Sequence, residues 1–340
     1  MTEPLVDIRN LSVHLALGRR ETALVEDVSF SVARGEVLCL VGESGCGKTI
    51  TARSIIGLNR HDPRFRLSGR ILFDGRDLMT LDEREMRKVR GAGIGMIFQD
   101  PMTSLNPLHR IGRQIGEALR VHTALSNHEI RERTQALLKQ VGIPNPEARI
   151  DDYPHQFSGG MRQRAMIALA LAASPALLIA DEPTTALDVT TQKQILALLA
   201  RLKDEYGMGL VLITHDLGIV AEIADRVMVM YAGQCVEIGT VRSVFHAPRH
   251  PYTAGLLASI PAANRTRTAR LSSIRGTPPL LAQGRPTGCA FLPRCDFAFE
   301  RCREMPPLLT RGQEGSHLDR CWLPAGAGSG PPGLAAREAR

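Results

Sequence analysis

The segment EVLCLVGESGCGKT, residues 36–49, joins a continuous apolar run to a glycine-rich loop. An apolar run that stops at a glycine is typical of a central strand buried on both faces. GESGCGKT, residues 42–49, fits the pattern G-x-x-x-x-G-K-[ST], and the helical pattern KTITARSIIGL follows it. In this context consecutive backbone N–H groups and the helix N-terminus can point at phosphate oxygens. The segment therefore predicts an α/β core with a phosphate-binding loop.

Every residue of this loop is a candidate for nucleotide binding. The candidates are Gly42, Glu43, Ser44, Gly45, Cys46, Gly47, Lys48 and Thr49. Lys48 supplies positive charge for the β- and γ-phosphates, and Thr49 offers a hydroxyl to Mg²⁺. Backbone N–H groups, Lys48 and the helix N-terminus all favour a thiolate at Cys46. The sequence thus predicts that alkylating agents inhibit the site and that bound nucleotide protects it.

A second buried strand, in LLIADEP at residues 177–183, ends in two carboxylates. Ligands of open α/β sheets bind at the C-terminal ends of the strands. Asp181 is predicted to hold Mg²⁺ through water, and Glu182 to position or deprotonate the attacking water. An isolated Asp-Glu pair more often caps the following loop. The phosphate-binding loop upstream favours the catalytic interpretation here.

A further anion site is predicted in FSGGMRQR, residues 157–164, directly before the apolar helical run MIALALAA. Ser158 can cap the helix, and Gly159 and Gly160, followed by Met161, leave backbone N–H groups bare. A single triphosphate bound in one phosphate-binding loop does not require a second anion-binding helix N-terminus. The sequence therefore favours a dimer in which this segment closes over the nucleotide held by the partner's loop.

The rest of the chain places three additions around this core. Alternating strand patterns near the start and the hairpin GRILFDGRDL predict an antiparallel β subdomain, with a tight turn at Asp74-Gly75. The domains expected are an ATPase domain at 1–245, with a helical insertion at about 100–165, and a small irregular C-terminal domain at 246–322. The Gly-, Pro- and Ala-rich end, 323–340, is predicted to be disordered.

Composition excludes several classes of protein. No early segment resembles a secretory leader, no run of eighteen apolar residues occurs, and seven cysteines then indicate a reducing compartment. The formal charge of +7 is compatible with nucleic-acid binding, but aromatic residues make up only 4 % and leave few rings for bases to stack on. A solvated basic surface is the favoured interpretation.

Taken together, these motifs resemble the ATP-binding subunits of ABC transporters over roughly residues 4–260. The matching elements are GESGCGKT, Gln99 after GIGMIFQ, SGGMRQR, LLIADEP, ALD at 186–188 and His215 after VLIT. The resemblance implies that Gln99 senses Mg²⁺ and the membrane partner. It also implies that Asp188 contacts the opposing subunit and that His215 touches the γ-phosphate. ATP and Mg²⁺ are the implied cofactors.

A narrower resemblance, to the ATPases of oligopeptide and dipeptide importers, reaches about residue 322. It rests on Met161 within SGGMRQR, on DEPTTALDVT, on HPYTAGLLASIP at 250–261 and on IRGTPP at 274–279. The implied partners are a second, non-identical ATPase subunit, two transmembrane permease subunits and, indirectly, an extracytoplasmic solute-binding protein. The implied location is the cytoplasmic face of the membrane, as a peripheral subunit, and no nucleic acid is expected.

Four cysteines, Cys289, Cys295, Cys302 and Cys321, lie in the last fifth of the chain. Their spacing alone does not identify a metal, because four thiolates can saturate Zn²⁺ or a cubane cluster, and four free cysteines are also possible. The importer resemblance implies that they ligate a [4Fe-4S] cluster, with zinc as the alternative. Four adjoining arginines are predicted to offset the negative charge: Arg294, Arg301, Arg303 and Arg320.

ABC ATPases usually stack adenine on an aromatic residue of the first hairpin, but this chain has none before Phe30 and offers His14 and Leu15 instead.

The rival function is a soluble ABC ATPase that acts on nucleic acid or ribosomes. Such proteins usually carry two fused cassettes or a long coiled-coil insertion, and this sequence shows neither.

Overall fold

The computed structural model describes residues 3–18, 20–185, 187–259, 274–310 and 317–324. In these ranges two β-sheets carry the architecture. The strands are β1 (Val6–Leu17), β2 (Arg20–Val32), β3 (Val37–Val41), β4 (Phe65–Phe73), β5 (Arg76–Asp77), β6 (Ile94–Ile97), β7 (Leu177–Asp181), β8 (Gly209–Ile213), β9 (Arg226–Tyr231), β10 (Gln234–Thr240), β11 (Leu309–Thr310) and β12 (Leu318–Asp319).

The larger sheet has the strand order β11-β12-β10-β9-β3-β8-β7-β6. Strands β6, β7, β8, β3 and β9 pair in parallel, whereas β10, β12 and β11 pair antiparallel. Every residue of β3, β7 and β8 is buried, as their continuous apolar runs require in a sheet covered on both faces. The predicted α/β fold with a phosphate-loop core is confirmed.

The smaller sheet is antiparallel, with the order β2-β1-β4-β5. Asp74 and Gly75 connect β4 to β5 with φ values of 50° and 77°. Two consecutive positive φ angles are what a two-residue hairpin turn with the twist of its strands needs. The turn expected from the sequence is therefore present.

Helices fill the connections between the strands. They are α1 (Lys48–Ile55), α2 (Glu83–Val89), α3 (Pro101–Ser104), α4 (Ile111–His122), α5 (Asn127–Gln140), α6 (Pro146–Arg149), α7 (Gly159–Leu171), α8 (Val189–Tyr206), α9 (Leu217–Ile223), α10 (Val241–His246) and α11 (Pro251–Ala258). Capping boxes start α2 at Asp82 and α5 at Ser126. Helices α3 to α7 lie between β6 and β7, where the insertion was expected. Among the described helices, none has the length and apolarity that crossing a membrane requires.

The described residues after 245 pack directly on the core of the larger sheet. Strand β12 pairs with β10 and so extends the larger sheet. Tyr252 and Phe291 lie in the same buried cluster as Tyr231 of β9, and the three rings contact one another with centroids 4.6 to 5.4 Å apart. Regular structure is sparse here, as the sequence indicated. Of the tail predicted to be disordered, residues 325–340 lie outside the described residues.

A buried carboxylate holds this region to β10. Glu237 is fully buried and accepts hydrogen bonds from the backbone N–H groups of Arg249 and His250, each at 2.9 Å. His317 Nε2 lies 2.7 Å from Glu237 Oε1. Buried charges are stable only when partners of this kind surround them. Glu237 is therefore a main tie between the core and the C-terminal region.

His250 makes the attachment of this region sensitive to acid. Burial lowers the pKa of His250 from 6.5 to about 4, and its Nδ1 accepts a hydrogen bond from the N–H of Tyr252. Below pH 6.5 the imidazole of His250 binds a proton more readily in the unfolded chain than in the folded chain. The free energy of unfolding therefore falls as the pH falls. We expect a loss of about 2 kcal/mol between pH 7 and pH 5 from this residue.

Urea denaturation at the two pH values measures the loss. His250→Asn is the matched control, because Asn caps a helix as well as His250 does here but does not titrate. The variant should lose less stability on acidification than the wild-type chain. Equal losses would show that other groups cause the acid sensitivity.

Candidate functional site

The phosphate-binding loop, residues 42–49, runs from the end of β3 into α1. Gly42 has φ 149°, and a Cβ there would lie 2.2 Å from the backbone oxygen of Met230, so only glycine fits. Lys48 is 5 % exposed, and its Nζ donates to the carbonyl oxygens of Gly42 and Glu43 at 2.8 and 3.1 Å. Lys48 is thus held against the backbone of the loop in which its positive charge is expected to contact the phosphates.

Thr49, in the first turn of α1, and Asp181, at the end of β7, come together beside the loop. The Thr49 hydroxyl donates to Asp181 Oδ1 at 3.0 Å, and Asp181 is 1 % exposed at the end of β7. Burial raises the pKa of Asp181, and the Thr49 hydrogen bond opposes that rise. A hydroxyl and a carboxylate are oxygen donors of the kind that Mg²⁺ prefers. This pair therefore fits the predicted magnesium site in its chemistry.

Three side chains surround the carboxylate of Glu182, and two of them, Gln99 and His215, are predicted site residues. Its Oε2 accepts hydrogen bonds from Gln99 Nε2 at 3.1 Å and from the Thr185 hydroxyl at 3.0 Å. His215 Nδ1 lies 3.7 Å from the same oxygen. Glu182 itself has φ 46°, a conformation that costs energy for a residue with a side chain and is common at functional sites. The structure thus gathers Gln99, Glu182 and His215 beside the loop.

A cavity of about 430 Å³ opens over the loop. Residues 43–50 line it together with the polar residues Gln99 and Glu182. The apolar side of the lining consists of Leu24, Tyr231, Ala232 and residues 278–282. No local sequence pattern indicated this apolar side, since its members are apolar residues far apart in the chain. His14, the sequence-based candidate for adenine, is not among the lining residues.

Ser158, Gly159, Gly160 and Met161 do not line this cavity. Ser158 caps α7 by accepting a hydrogen bond from the N–H of Met161 at 3.3 Å, as its position before an apolar helix predicted. Asp188 caps α8 by accepting from the N–H groups of Thr190 and Thr191. Within one chain these predicted site residues are therefore separate from the phosphate-binding loop.

Cys46 does not have the environment that the sequence predicted. It is 4 % exposed and packs in the apolar cluster beneath the antiparallel sheet. Burial raises the pKa of Cys46, and this effect outweighs Lys48, which lowers it. The expectation of a reactive thiolate is therefore wrong, because desolvation of the buried thiol outweighs the effect of Lys48, whose Nζ lies 3.7 Å from the Cys46 Sγ.

We accordingly expect Cys46 to react with iodoacetamide at least about 10-fold more slowly than free glutathione in the same tube at pH 8. Quantitative mass spectrometry of the peptide that contains Cys46 measures the rate. In urea the same cysteine should react at the rate of the free thiol, which controls for local sequence. Fast labelling of the native chain would contradict the buried assignment.

The four C-terminal cysteines surround a single small cavity. Cys289, Cys295, Cys302 and Cys321 line it together with His250, Phe291 and Trp322. The free space between them is about 10 Å³, roughly the room of one water molecule. Across the described residues, no group of three or more His, Cys, Asp or Glu has the arrangement to hold a metal ion. The gathering of four thiols is present, but neither a cluster nor a zinc site is shown.

The arginines beside these cysteines have other partners. Arg294 pairs with Glu43, Arg320 with Asp27 and Arg303 with Glu300. Arg301 lies over the ring of Trp322, 3.9 Å from its centroid. Three of the four arginines thus have carboxylate partners, and the expectation that they offset a tetrathiolate stays a prediction. Sequence adjacency placed them near the cysteines but did not indicate where their side chains point.

Comparison with known proteins gives the family. The model for ABC transporters matches residues 25–185, and the model for the C-terminal region of oligopeptide and dipeptide transporters matches residues 236–302. A probable peptide ABC transporter ATP-binding protein of Sinorhizobium fredii is 51 % identical, with 94 % of each chain covered. This chain belongs to the ATP-binding subunits of ABC transporters.

Other relatives of this ABC subunit are similar over comparable lengths. A dipeptide transport ATP-binding protein of Haemophilus influenzae is 50 % identical over 94 % of this chain and 96 % of its own. An oligopeptide transport ATP-binding protein of Bacillus subtilis is 49 % identical, with 94 % and 88 % covered. Membership in this family makes the chain an ATPase.

Among solved structures, an ATP-binding cassette in a dimeric post-hydrolysis state with ADP and phosphate has a TM-score of 0.62. It is 29 % identical and covers 70 % of this chain and 99 % of its own. A component of an ABC transporter complex from Clostridium perfringens also has a TM-score of 0.62, with 30 % identity and coverage of 72 % and 91 %. The cassette fold of the ABC subunit is therefore confirmed.

Proposed function

We propose that this ABC ATPase drives the import of dipeptides, oligopeptides or a related small solute. The observation that carries the proposal is the match of residues 236–302 to the oligopeptide and dipeptide transporter model, because that region lies outside the general cassette. The names of the similar proteins from three bacteria support the same solute class. The solute itself is selected by other subunits, which this chain does not contain.

In this proposal the loop residues 42–49 hold the phosphates of ATP, and Lys48 turns from its carbonyl partners to the phosphate oxygens. Thr49, Asp181 and Gln99 hold Mg²⁺, which neutralises phosphate charge when it is bound. Glu182 positions the attacking water and accepts its proton, while His215 contacts the γ-phosphate. The hydrogen bond between Gln99 and Glu182 supports a shared role of these two side chains.

The apolar side of the cavity is suited to the adenine base. Leu24, Tyr231 and the prolines Pro278 and Pro279 lie there, and Leu280 is 65 % exposed at its edge. We propose that this wall takes the place of the adenine-stacking aromatic residue, since no aromatic residue occurs before Phe30. Flat apolar contact binds a base without reading its hydrogen-bonding edge.

We further propose that two ATPase subunits close head to tail over two nucleotides. Each phosphate-binding loop would then face residues 158–161 and Asp188 of the other subunit. The separation of these residues from the cavity within one chain supports this arrangement. So does the dimeric state named for a similar solved cassette. The partner subunit is proposed to be homologous and non-identical.

Two transmembrane permease subunits are the proposed membrane partners, with an extracytoplasmic solute-binding protein that delivers the solute to them. The ATPase would lie on the cytoplasmic face as a peripheral subunit. Three apolar side chains of the helical insertion support a docking surface there: Met102 is 62 % exposed, Leu108 is 81 % exposed and Val121 is 70 % exposed.

Purification of the tagged chain from detergent-solubilised membranes tests this function. We expect two permease subunits to be recovered and a peptide-loaded binding protein to stimulate ATP hydrolysis by the complex. Leu108→Glu should reduce recovery of the permease, whereas Leu17→Glu, at an exposed apolar residue of the antiparallel sheet, should not. Recovery of ribosomes or DNA in place of permease would overturn the proposal.

We propose that the four C-terminal cysteines ligate a metal centre, a [4Fe-4S] cluster with zinc as the alternative. Support comes from the donor set, since four thiols line one cavity and no carboxylate does. Because the free space between them is small, the thiols must move apart to admit a cluster. A bound centre would hold together a region of short turns that has little regular structure of its own.

Anaerobic purification followed by an absorption spectrum near 400 nm and by iron and zinc analysis tests this centre. About four irons per chain with a brown colour would support the cluster, and one zinc without colour would support the alternative. Cys295→Ser should lower the metal content, while Cys235→Ser, at a buried cysteine of β10, should leave it unchanged. A folded, colourless and metal-free chain would overturn both.

A further inference from the structure

We propose that Arg294 positions the phosphate-binding loop through Glu43 and thereby ties nucleotide affinity to the packing of the cysteine-containing region. The proposal rests on the assignment of residues 42–49 to ATP binding and deepens it. It does not depend on which solute is transported. The two residues are 251 positions apart in the sequence, so local patterns give no sign of their contact.

Arg294 binds Glu43 as a two-pronged fork. Its Nη1 donates to Glu43 Oε2 at 2.6 Å, and its Nη2 donates to Oε1 at 2.9 Å. The Arg294 side chain is 5 % exposed and that of Glu43 is 28 % exposed, so water competes weakly for the pair. Two parallel bonds between planar groups fix orientation as well as distance. The carboxylate of the loop is therefore held in one place.

The backbone of Glu43 is held from the same side. Its N–H donates to the hydroxyl of Tyr252 at 2.9 Å, and Tyr252 is fully buried. Both constraints on Glu43 thus come from residues beyond 245. Glu43 is also the second residue of the loop, since Gly42 follows β3 directly. Its position sets the path of the backbone N–H groups that follow.

Arg294 is itself fixed by several groups. Its Nε donates to the carbonyl oxygen of Arg275 at 2.8 Å, and its Nη1 donates to the hydroxyl of Tyr231 at 3.3 Å. Its guanidinium lies 5.8 and 5.9 Å from the ring centroids of Tyr231 and Phe291. Residues 275–276 lead into residues 278–282, which line the nucleotide cavity. Arg294 therefore joins the loop, the end of β9 and the cavity wall.

The main chain of Arg294 lies between two of the clustered cysteines. The turn Leu292–Arg294 begins with a hydrogen bond from the N–H of Leu292 to the carbonyl oxygen of Cys289 at 2.9 Å. It ends at Cys295, whose N–H donates to the carbonyl oxygen of Leu292 at 3.3 Å. Any movement of Cys289 or Cys295 therefore shifts the base of the Arg294 side chain.

Equilibrium binding of MgATP to the full chain tests the contact. Glu43→Gln and Arg294→Gln should each raise the Kd for MgATP by about 10-fold, in the range that coupled residues outside the ligand shell can reach. The double variant should bind no more weakly than either single one, because the two residues act through one contact. For Arg294→Gln, the kcat at saturating ATP should stay within about twofold of the wild-type value, since Arg294 touches no reacting atom.

Arg303→Gln is the matched control. Arg303 also adjoins a clustered cysteine, Cys302, but its side chain is 74 % exposed and pairs with the exposed Glu300. Its Kd for MgATP should equal that of the wild-type chain. Glu43→Gln keeps the test valid if Arg294→Gln fails to fold. An unchanged Kd in folded Glu43→Gln, or an equal loss in Arg303→Gln, would overturn the positioning role.

Cys295→Ser, made in the wild-type and Arg294→Gln backgrounds, tests whether nucleotide affinity depends on the cysteine-containing region through Arg294. We expect it to weaken MgATP binding in the wild-type background and to add nothing in the Arg294→Gln background. An equal effect in both backgrounds, or none in either, would overturn the tie. This experiment measures nucleotide affinity. Failure of the proposed import function would instead appear as normal ATP binding without recovery of a permease.

Discussion

Replacing Glu182 with Gln is expected to lower the kcat for ATP hydrolysis by at least about 100-fold, because the amide cannot accept a proton from the attacking water. Gln has the size of Glu and can still contact Gln99 and Thr185, which bond the Glu182 carboxylate. The Kd for MgATP should therefore change little. Single-turnover hydrolysis and equilibrium binding measure the two quantities separately.

Two further variants complete this test. Lys48→Ala should lose nucleotide affinity, which would distinguish a binding defect from a catalytic one. Glu205→Gln, at an exposed carboxylate of α8, is the control for loss of a negative charge. If Glu182→Gln hydrolyses ATP at the wild-type rate, the base lies elsewhere in the site.

Glu237→Ala is expected to destabilise the chain by about 3 to 5 kcal/mol, because it leaves buried donors without their acceptor. The donors are the N–H groups of Arg249 and His250 and the imidazole of His317. The loss should appear as a lower midpoint in urea denaturation. It should also appear as faster proteolysis after residue 245, since this carboxylate ties that region to β10.

The exposed Glu222 provides the control for this prediction, because Glu222→Ala removes the same charge from the surface of α9. Its effect should lie within about 0.5 kcal/mol of zero. Glu237→Gln should give an intermediate loss, since an amide keeps the volume but has one acceptor oxygen. An unchanged midpoint in Glu237→Ala would show that other contacts hold the C-terminal region.

The sequence was sufficient for the core because its signals are local. A continuous apolar run predicted β3, the glycine pattern predicted the loop, and LLIADEP predicted a buried strand that ends in Asp181 and Glu182. Parallel strands place such ends at one edge of the sheet, so the proximity of Thr49 and Asp181 followed from topology. Each of these predictions needed no knowledge of distant contacts.

The predictions that the structure changed concern where single side chains point. The sequence around Cys46 suggested a cationic surround, but the side chain is buried, and desolvation dominates its pKa. Arg294 was assigned to the cysteines beside it, although its guanidinium reaches Glu43. The apolar cavity wall at 278–282 was missed for the same reason. Long-range contacts of this kind leave no periodic trace in the chain.

The position of β3 in the sheet has a consequence for synthesis on the ribosome. This strand pairs with β8 and β9, which are translated roughly 170 residues later. At ordinary elongation rates that interval lasts roughly 10 to 30 s. Throughout it the strand that carries the phosphate-binding loop is an apolar segment without either of its neighbours. The nascent chain is therefore most exposed to aggregation and to chaperones before it can bind its nucleotide.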